Sequence, residues 1–361
     1  MSIQRCSAET SQLKKPLASQ RGYVEMPPPK KPQAFQRRSV ETPQLDPPQA
    51  LEVRAPDPSR RRFREKTASR ARRDTVEGIV EAGLLLAALF SIVITVGIVG
   101  VLLYESTGFF QRVSLGEFLT DPQWTPLFSA AHYGVLPLVA GTLVTTTIAL
   151  LVAVPLGTIT AIYLSEYARP RVREIVKPFL ELLTAVPTVV YGYFALLFVT
   201  PLLQRIWPDL PGFNMLSAGL VMGIMIVPYI SSVSEDAMRA VPVHLREGSY
   251  AMGATRAQTA LRVVVPSALS GIAAAYVLGI SRAIGETMVV AIAAGMQPTL
   301  TLNPTEPAET MTAYIVQVSL GDLPYGSIGY QTIFVIGLTL LLLTLVFNVA
   351  GHVLRKRFRQ V

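Results

Sequence analysis

The chain has 361 residues, half of them apolar and only 16% charged, with a net charge of +8. The apolar residues are gathered in long runs instead of being spread at helical or strand period, so lipid is the solvent for most of the chain. The first 75 residues hold 17 Lys and Arg against eight Asp and Glu, and the rest sums to −1; the basic excess belongs to a tail and does not indicate a nucleic-acid-binding fold.

Residues 1–75 carry ten of the 27 prolines and only isolated apolar residues. Such a segment cannot bury enough surface to offset its ordering entropy, so disorder is expected there. It ends in a dense basic run, Arg60 to Arg73, suited to anionic headgroups beside a first spanning helix. Cys6, in the tail, is the sole cysteine, so the chain has no internal disulfide framework, no zinc spacing and no thiol–His pair. His132, His244 and His352 have no metal-ligand spacing. No phosphate-binding loop of the G-x-x-x-x-G-K-[ST] type occurs, so no cofactor or nucleotide is expected on this chain.

Six spans are expected, at about 83–104, 135–165, 182–203, 211–234, 266–295 and 328–354. The runs are continuous, not alternating, which favours an all-α bundle over a barrel. Pro155, Pro187 and Pro228 are expected kink or hinge sites. The basic residues fall in the tail, in the loop after the second span (Arg169, Arg171, Arg173, Lys177), in the loop after the fourth (Arg239, Arg246, Arg256, Arg262) and at the C-terminus. The positive-inside rule then puts both termini and these loops in the cytoplasm. The stretches 105–134 and 297–327 would be external, net acidic and rich in Pro, Gly and Thr, with room for short surface helices. Glu235 and Asp236, closing the fourth span, are expected to be solvated.

Between the fourth and fifth spans, 241–266 reads VPVHLREGSYAMGATRAQTALRVVVP and is too polar to span. It suggests a helix over 246–252, a break at Gly253, and an amphipathic helix over 255–265 with Leu261, Val264 and Val265 towards the membrane. The fifth span places Gly271, Ala275, Gly279, Arg282 and Glu286 at spacings of four, four, three and four, on one helix stripe. Small residues permit close helix packing. Placing Arg or a carboxylate deep in a bilayer costs about 2.5–3.5 kcal/mol, so Arg282 and Glu286 are expected to pair. Two readings follow: a structural ion pair, or an anion pathway in which Arg282 attracts substrate and Glu286 competes for it.

Glu247, Gly253 six residues later and Val265-Pro266 ending thirteen beyond that resemble the cytoplasmic loop of binding-protein-dependent ABC importer permeases; Gly248 and Ser249 stand where that family has two alanines. Arg282-Ala-Ile-Gly-Glu286-Thr287-Met288 and Ala185-Val-Pro-Thr-Val-Val-Tyr-Gly192 resemble the phosphate-specific branch, in particular its C-type permease subunit. The resemblance covers about 80–355 and leaves out the tail. It implies a type I permease fold and no catalysis on this chain. It also implies a second homologous permease, two copies of an ATPase and an external phosphate-binding protein as partners. By the same resemblance Glu247, Gly253 and Pro266 belong to the ATPase-coupling loop, and Arg282 and Glu286 to the translocation pathway. A sulfate, molybdate or phosphonate permease, the A-type partner, an intramembrane enzyme and a lone channel are the alternatives. The enzyme needs a nucleophile–base or metal constellation within the spans, which the sequence lacks.

Overall fold

The computed structural model describes residues 58–321 and 323–357. The chain divides into two units, Met1–Asp74 and Thr75–Val361. Most of the segment expected to be disordered, 1–57, lies outside the described residues; from Pro58 the backbone is helical.

Helix α1 runs Pro58–Phe110, α2 Leu115–Thr120 and α3 Leu136–Ile162, the last continuing into a π-helical turn, Tyr163–Tyr167. Helix α4 is Pro170–Ala185 and α5 Thr188–Phe194, followed by a π turn and α6, Thr200–Gln204. Helix α7 is Met215–Arg239. Then come α8 (Val243–Ala251), α9 (Arg256–Thr259), a π turn (Ala260–Val264) and α10 (Val265–Ser267). Helices α11 (Leu269–Ile284), α12 (Met288–Ala293), α13 (Met311–Ser319) and α14 (Ile328–Arg357) complete the chain. Among the described residues there are no strands, only isolated bridges at Trp124–Tyr133 and Gly295–Ala308.

Four helical segments are long and apolar enough to cross a membrane, and up to six if each of two bent pairs is one span. The bent pairs correct the expected third and fifth spans. The third is not one rod over 182–203: Pro170–Ala185 meets Thr188–Gln204 at 88°. Pro187 sits at that corner, with α4 ending at Ala185 before it, as expected from the bias of a pre-proline residue away from helical backbone. Helix α4 is amphipathic and buries no residue, whereas the α5–α6 segment buries Tyr191, Gly192 and Thr200. The fifth is bent by 73° between Arg256–Ser267 and Leu269–Ile284, and is interrupted again at 285–287. Pro155 and Pro228, by contrast, lie inside uninterrupted helices.

Helix α7 is the hub. It packs against α3, where a Cβ on Gly223 would sit 2.8 Å from the Ala149 carbonyl, so only a residue without a side chain allows that approach. The stripe expected on the fifth span does pack: Ala275 is fully buried, and a Cβ on Gly271 would overlap Ala237 of α7. Helix α1 leaves its apolar surface outward, as a lipid-facing helix should. The segments 105–134 and 297–327 hold more than short surface helices. Phe109, Phe118, Trp124 and Tyr314 form a buried aromatic cluster, with Trp124 and Tyr314 edge-to-face at 5.0 Å.

Candidate functional site

Two places bring chemically distinctive residues together. The first is the interruption between α11 and α12. Helix α11 ends at Gly285, and Arg282 is in its last turn. Glu286 therefore lies in the break, not one turn further on a continuous helix as the spacing suggested. Even so, Arg282 Nη2 is 3.5 Å from Glu286 Oε2, because a tight turn at Gly285 keeps the backbone close. The Glu286 side chain is 2% exposed and that of Arg282 37%. Glu286 is held from both following elements: its Oε1 accepts from the Val289 N–H at 3.4 Å, and its backbone carbonyl accepts from the Thr312 hydroxyl at 2.6 Å. Arg282 is held more loosely. Its guanidinium lies 5.9 Å from the ring centroid of Tyr229, at the outer limit of a cation–π contact, and its buried Nε has no acceptor. A guanidinium with an unused donor and one long ionic contact can take a planar or tetrahedral oxyanion in its fork.

The second place is the polar segment 241–266. Helix α8 covers the expected first helix. Gly253 has φ +80°, the left-handed region, and a Cβ there would meet nothing within 4 Å; the glycine serves the backbone turn, not a tight fit. Thr255 then caps α9 in a reciprocal box with Gln258. Ser249 Oγ and Thr259 Oγ1 are 2.9 Å apart and tie the two helices. In the π turn at Ala260–Val264 it is Ala260 and Val264 that are buried, while Leu261 is exposed. Glu247, Gly253 and Pro266 are exposed, and with them Tyr250, Leu261 and Met252, the last 88% exposed. An apolar group on a polar loop, outside the lipid-facing helices, marks a contact surface.

Sequence spacing missed the group that holds this segment in place. Arg246 donates to Glu166 Oε1 at 3.0 Å, to the Val241 carbonyl at 2.7 Å and to the Met238 carbonyl at 2.8 Å. Glu166 lies in the π turn after α3, eighty residues away, so no local pattern signals the pair. Glu235 was also misjudged: it is completely buried, between Arg173, Lys177 at 3.3 Å and Arg239 at 3.8 Å. Asp236 is exposed as expected and pairs with Lys177 at 2.9 Å. On the opposite side of the bundle Glu309 is buried with an unpartnered Oε1, and burial pushes its carboxyl up to about 8. Among the described residues no group of three or more His, Cys, Asp or Glu could hold a metal ion.

A helical bundle with four to six candidate spans, an ion pair at a broken span and a polar helix–turn–helix has the layout of a membrane transporter subunit. The family of binding-protein-dependent transport system inner membrane components matches residues 153–360, and the chain belongs to it. Permeases of this kind work with a separate ATPase and a binding protein, so ATP hydrolysis resides on another chain. The chain is 38% identical over 264 residues to the probable ABC transporter permease protein YqgH of Bacillus subtilis (strain 168), covering 73% of this chain and 84% of that one. It is 36% identical over 248 residues to the phosphate transport system permease protein PstC 1 of Mycobacterium tuberculosis (strain ATCC 25618 / H37Rv), covering 63% and 73%. The crystal structure of a bacterial ABC transporter involved in the import of the acidic polysaccharide alginate shares the fold, with a TM-score of 0.57 at 18% identity over 81% of this chain and all of that one.

Proposed function

We propose that this chain is the C-type permease subunit of an ATP-driven importer that moves inorganic phosphate across the inner membrane. It would pair with a second homologous permease, two copies of an ATPase and an external phosphate-binding protein, with both termini cytoplasmic. The observation that carries the reading is the Arg282–Glu286 pair: a cation inside the membrane bundle, joined to a buried carboxylate at 3.5 Å and otherwise short of acceptors. The names of relatives such as PstC 1 support phosphate as the cargo.

In this mechanism Glu286 is the resting counter-ion. It keeps Arg282 from standing uncompensated in a low-dielectric site. An entering phosphate offers two oxygens to the guanidinium and displaces the carboxylate, which stays anchored by the Val289 N–H. Closure of the ATPase pair, transmitted through Glu247, Gly253 and Pro266, then changes which side the pathway opens to. The exposed Tyr250, Met252 and Leu261 supply the apolar part of that contact.

The test is uptake of labelled phosphate by cells carrying Arg282→Gln, with co-purification of the ATPase as the assembly control. The expected result is loss of uptake with assembly intact; Arg282→Lys, which keeps the charge but not the fork, should fall between. Normal phosphate uptake in Arg282→Gln refutes the pathway. Loss of sulfate or molybdate uptake in place of phosphate refutes the cargo.

A further inference from the structure

We infer that Lys177 is a second anion-binding group, the cytoplasmic exit station of the pathway that begins at Arg282. The inference rests on the proposed function, and its orientation is the one given there.

A cavity of about 140 Å³ lies between α4 and α7. Its lining includes Lys177, Glu181 and Thr184 from α4, and Tyr229, Ser232 and Glu235 from α7. Tyr229 is the residue whose ring carries the Arg282 guanidinium, so its side chain borders both places. From there the polar wall descends along one stripe of α7. Ser232 is three residues beyond Tyr229, about 4.5 Å along the axis, and Glu235 and Asp236 follow one turn on, at the end nearest the segment 241–266. Helix α4 faces them with Arg173, Lys177, Glu181 and Thr184, at spacings of four, four and three. An oxyanion leaving Arg282 on the cytoplasmic side thus meets a space with hydroxyl groups and one ammonium, beside the carboxylates of Glu181 and Glu235, the latter already compensated by Arg173 and Arg239.

The charge arrangement at Lys177 repeats that at Arg282. Its Nζ lies 3.3 Å from the buried Glu235 and 2.9 Å from the exposed Asp236. Glu235 cannot be left alone in a buried position, and Arg173 and Arg239 keep it compensated if Lys177 turns away. Asp236, exposed, can return to water at little cost. Of the three cations around Glu235, Lys177 is the one that lines the cavity, where it can exchange Asp236 for an incoming anion. Its ammonium, a point charge on a flexible stem with three donors, suits a transient site that must also release.

The experiment uses the assembled transporter in inside-out vesicles. Cys6→Ser removes the sole cysteine, and Ser232→Cys places a reporter thiol in the cavity. The readout is the rate of its reaction with a small neutral methanethiosulfonate. If the site exists, inorganic phosphate at about three times its dissociation constant slows the reaction about fourfold. Protection should disappear in Lys177→Gln, persist in Lys177→Arg, and persist in Arg282→Gln, since phosphate is offered from the cytoplasmic face. Asp236→Asn, at an exposed position, should lower the phosphate concentration needed, because it removes the competitor; a purely structural latch predicts no such change. Absence of protection by any oxyanion, or protection unaffected by both Lys177→Gln and Asp236→Asn, overturns the inference. Lys177-dependent protection by sulfate but not phosphate upholds the site and refutes phosphate as cargo. Failure of the Arg282 pathway is read separately, from uptake in Arg282→Gln.

Discussion

Arg246→Ala is the sharpest test of how the polar segment is held. The Arg246 side chain is 16% exposed and Glu166 5%. Removing one partner of a buried ion pair costs about 3–5 kcal/mol, because the other charge stays buried and uncompensated. Here the lower end applies. Ser165 Oγ still donates to Glu166 Oε1 at 2.9 Å, and the Met238 carbonyl keeps the Val241 N–H at 3.2 Å. About 3 kcal/mol is roughly a hundredfold in an equilibrium, and the equilibrium concerned is α8 docked on, or detached from, the ends of α3 and α7. Amide hydrogen exchange on the purified transporter reads this directly. The α8 amides should lose about two orders of magnitude of protection, at the 1.4 kcal/mol-per-decade conversion, while those of α3 and the centre of α7 are unchanged. ATPase co-purification should weaken in parallel. Glu166→Gln combined with Arg246→Ala should be milder than Arg246→Ala alone, since no buried charge is then left over. Wild-type exchange in α8, or strictly additive single and double variants, would falsify the account.

Other perturbations follow from the same structure. Gly253→Val should impair ATPase co-purification and uptake more than Gly253→Asn. The position needs φ +80° in open space, a conformation that Asn tolerates and a β-branched residue does not; the difference is about 1–2 kcal/mol. Gly271→Val should reduce the amount of folded protein in the membrane, because even its Cβ would overlap Ala237 of α7; unchanged thermal stability in detergent would contradict the packing. Glu309→Gln should flatten the pH dependence of thermal unfolding. The native carboxyl is raised from 4.5 to about 8 by burial. Its favourable neutral form is therefore fully retained below the ordinary value, and stability is lost as pH rises through about 8. The glutamine variant should be the more stable of the two at the alkaline end, and parallel curves would refute that assignment.

Comparison of the elements shows what could be read from residues alone. Lipid partitioning is close to a sum over residues, so the apolar runs revealed a helical membrane bundle and four of its spans, while the third and fifth are bent pairs. The break at Gly253 was equally legible, since a glycine between two amphipathic halves is a local signal, and the small stripe on α11 disclosed which face packs.

Tertiary structure alone decided the rest. It turned the expected kink at Pro187 into an 88° corner and bent the fifth span by 73° at Ala268. It put Glu286 in a break yet left it within reach of Arg282. It buried Glu235 among Arg173, Lys177 and Arg239, and joined Glu166 to Arg246 across eighty residues. An ionisable residue shows its charge in the sequence, but its partner and its solvent are properties of helix packing. For that reason the class of this protein was readable from its residues, whereas the course proposed for an anion through it depends on which helices meet.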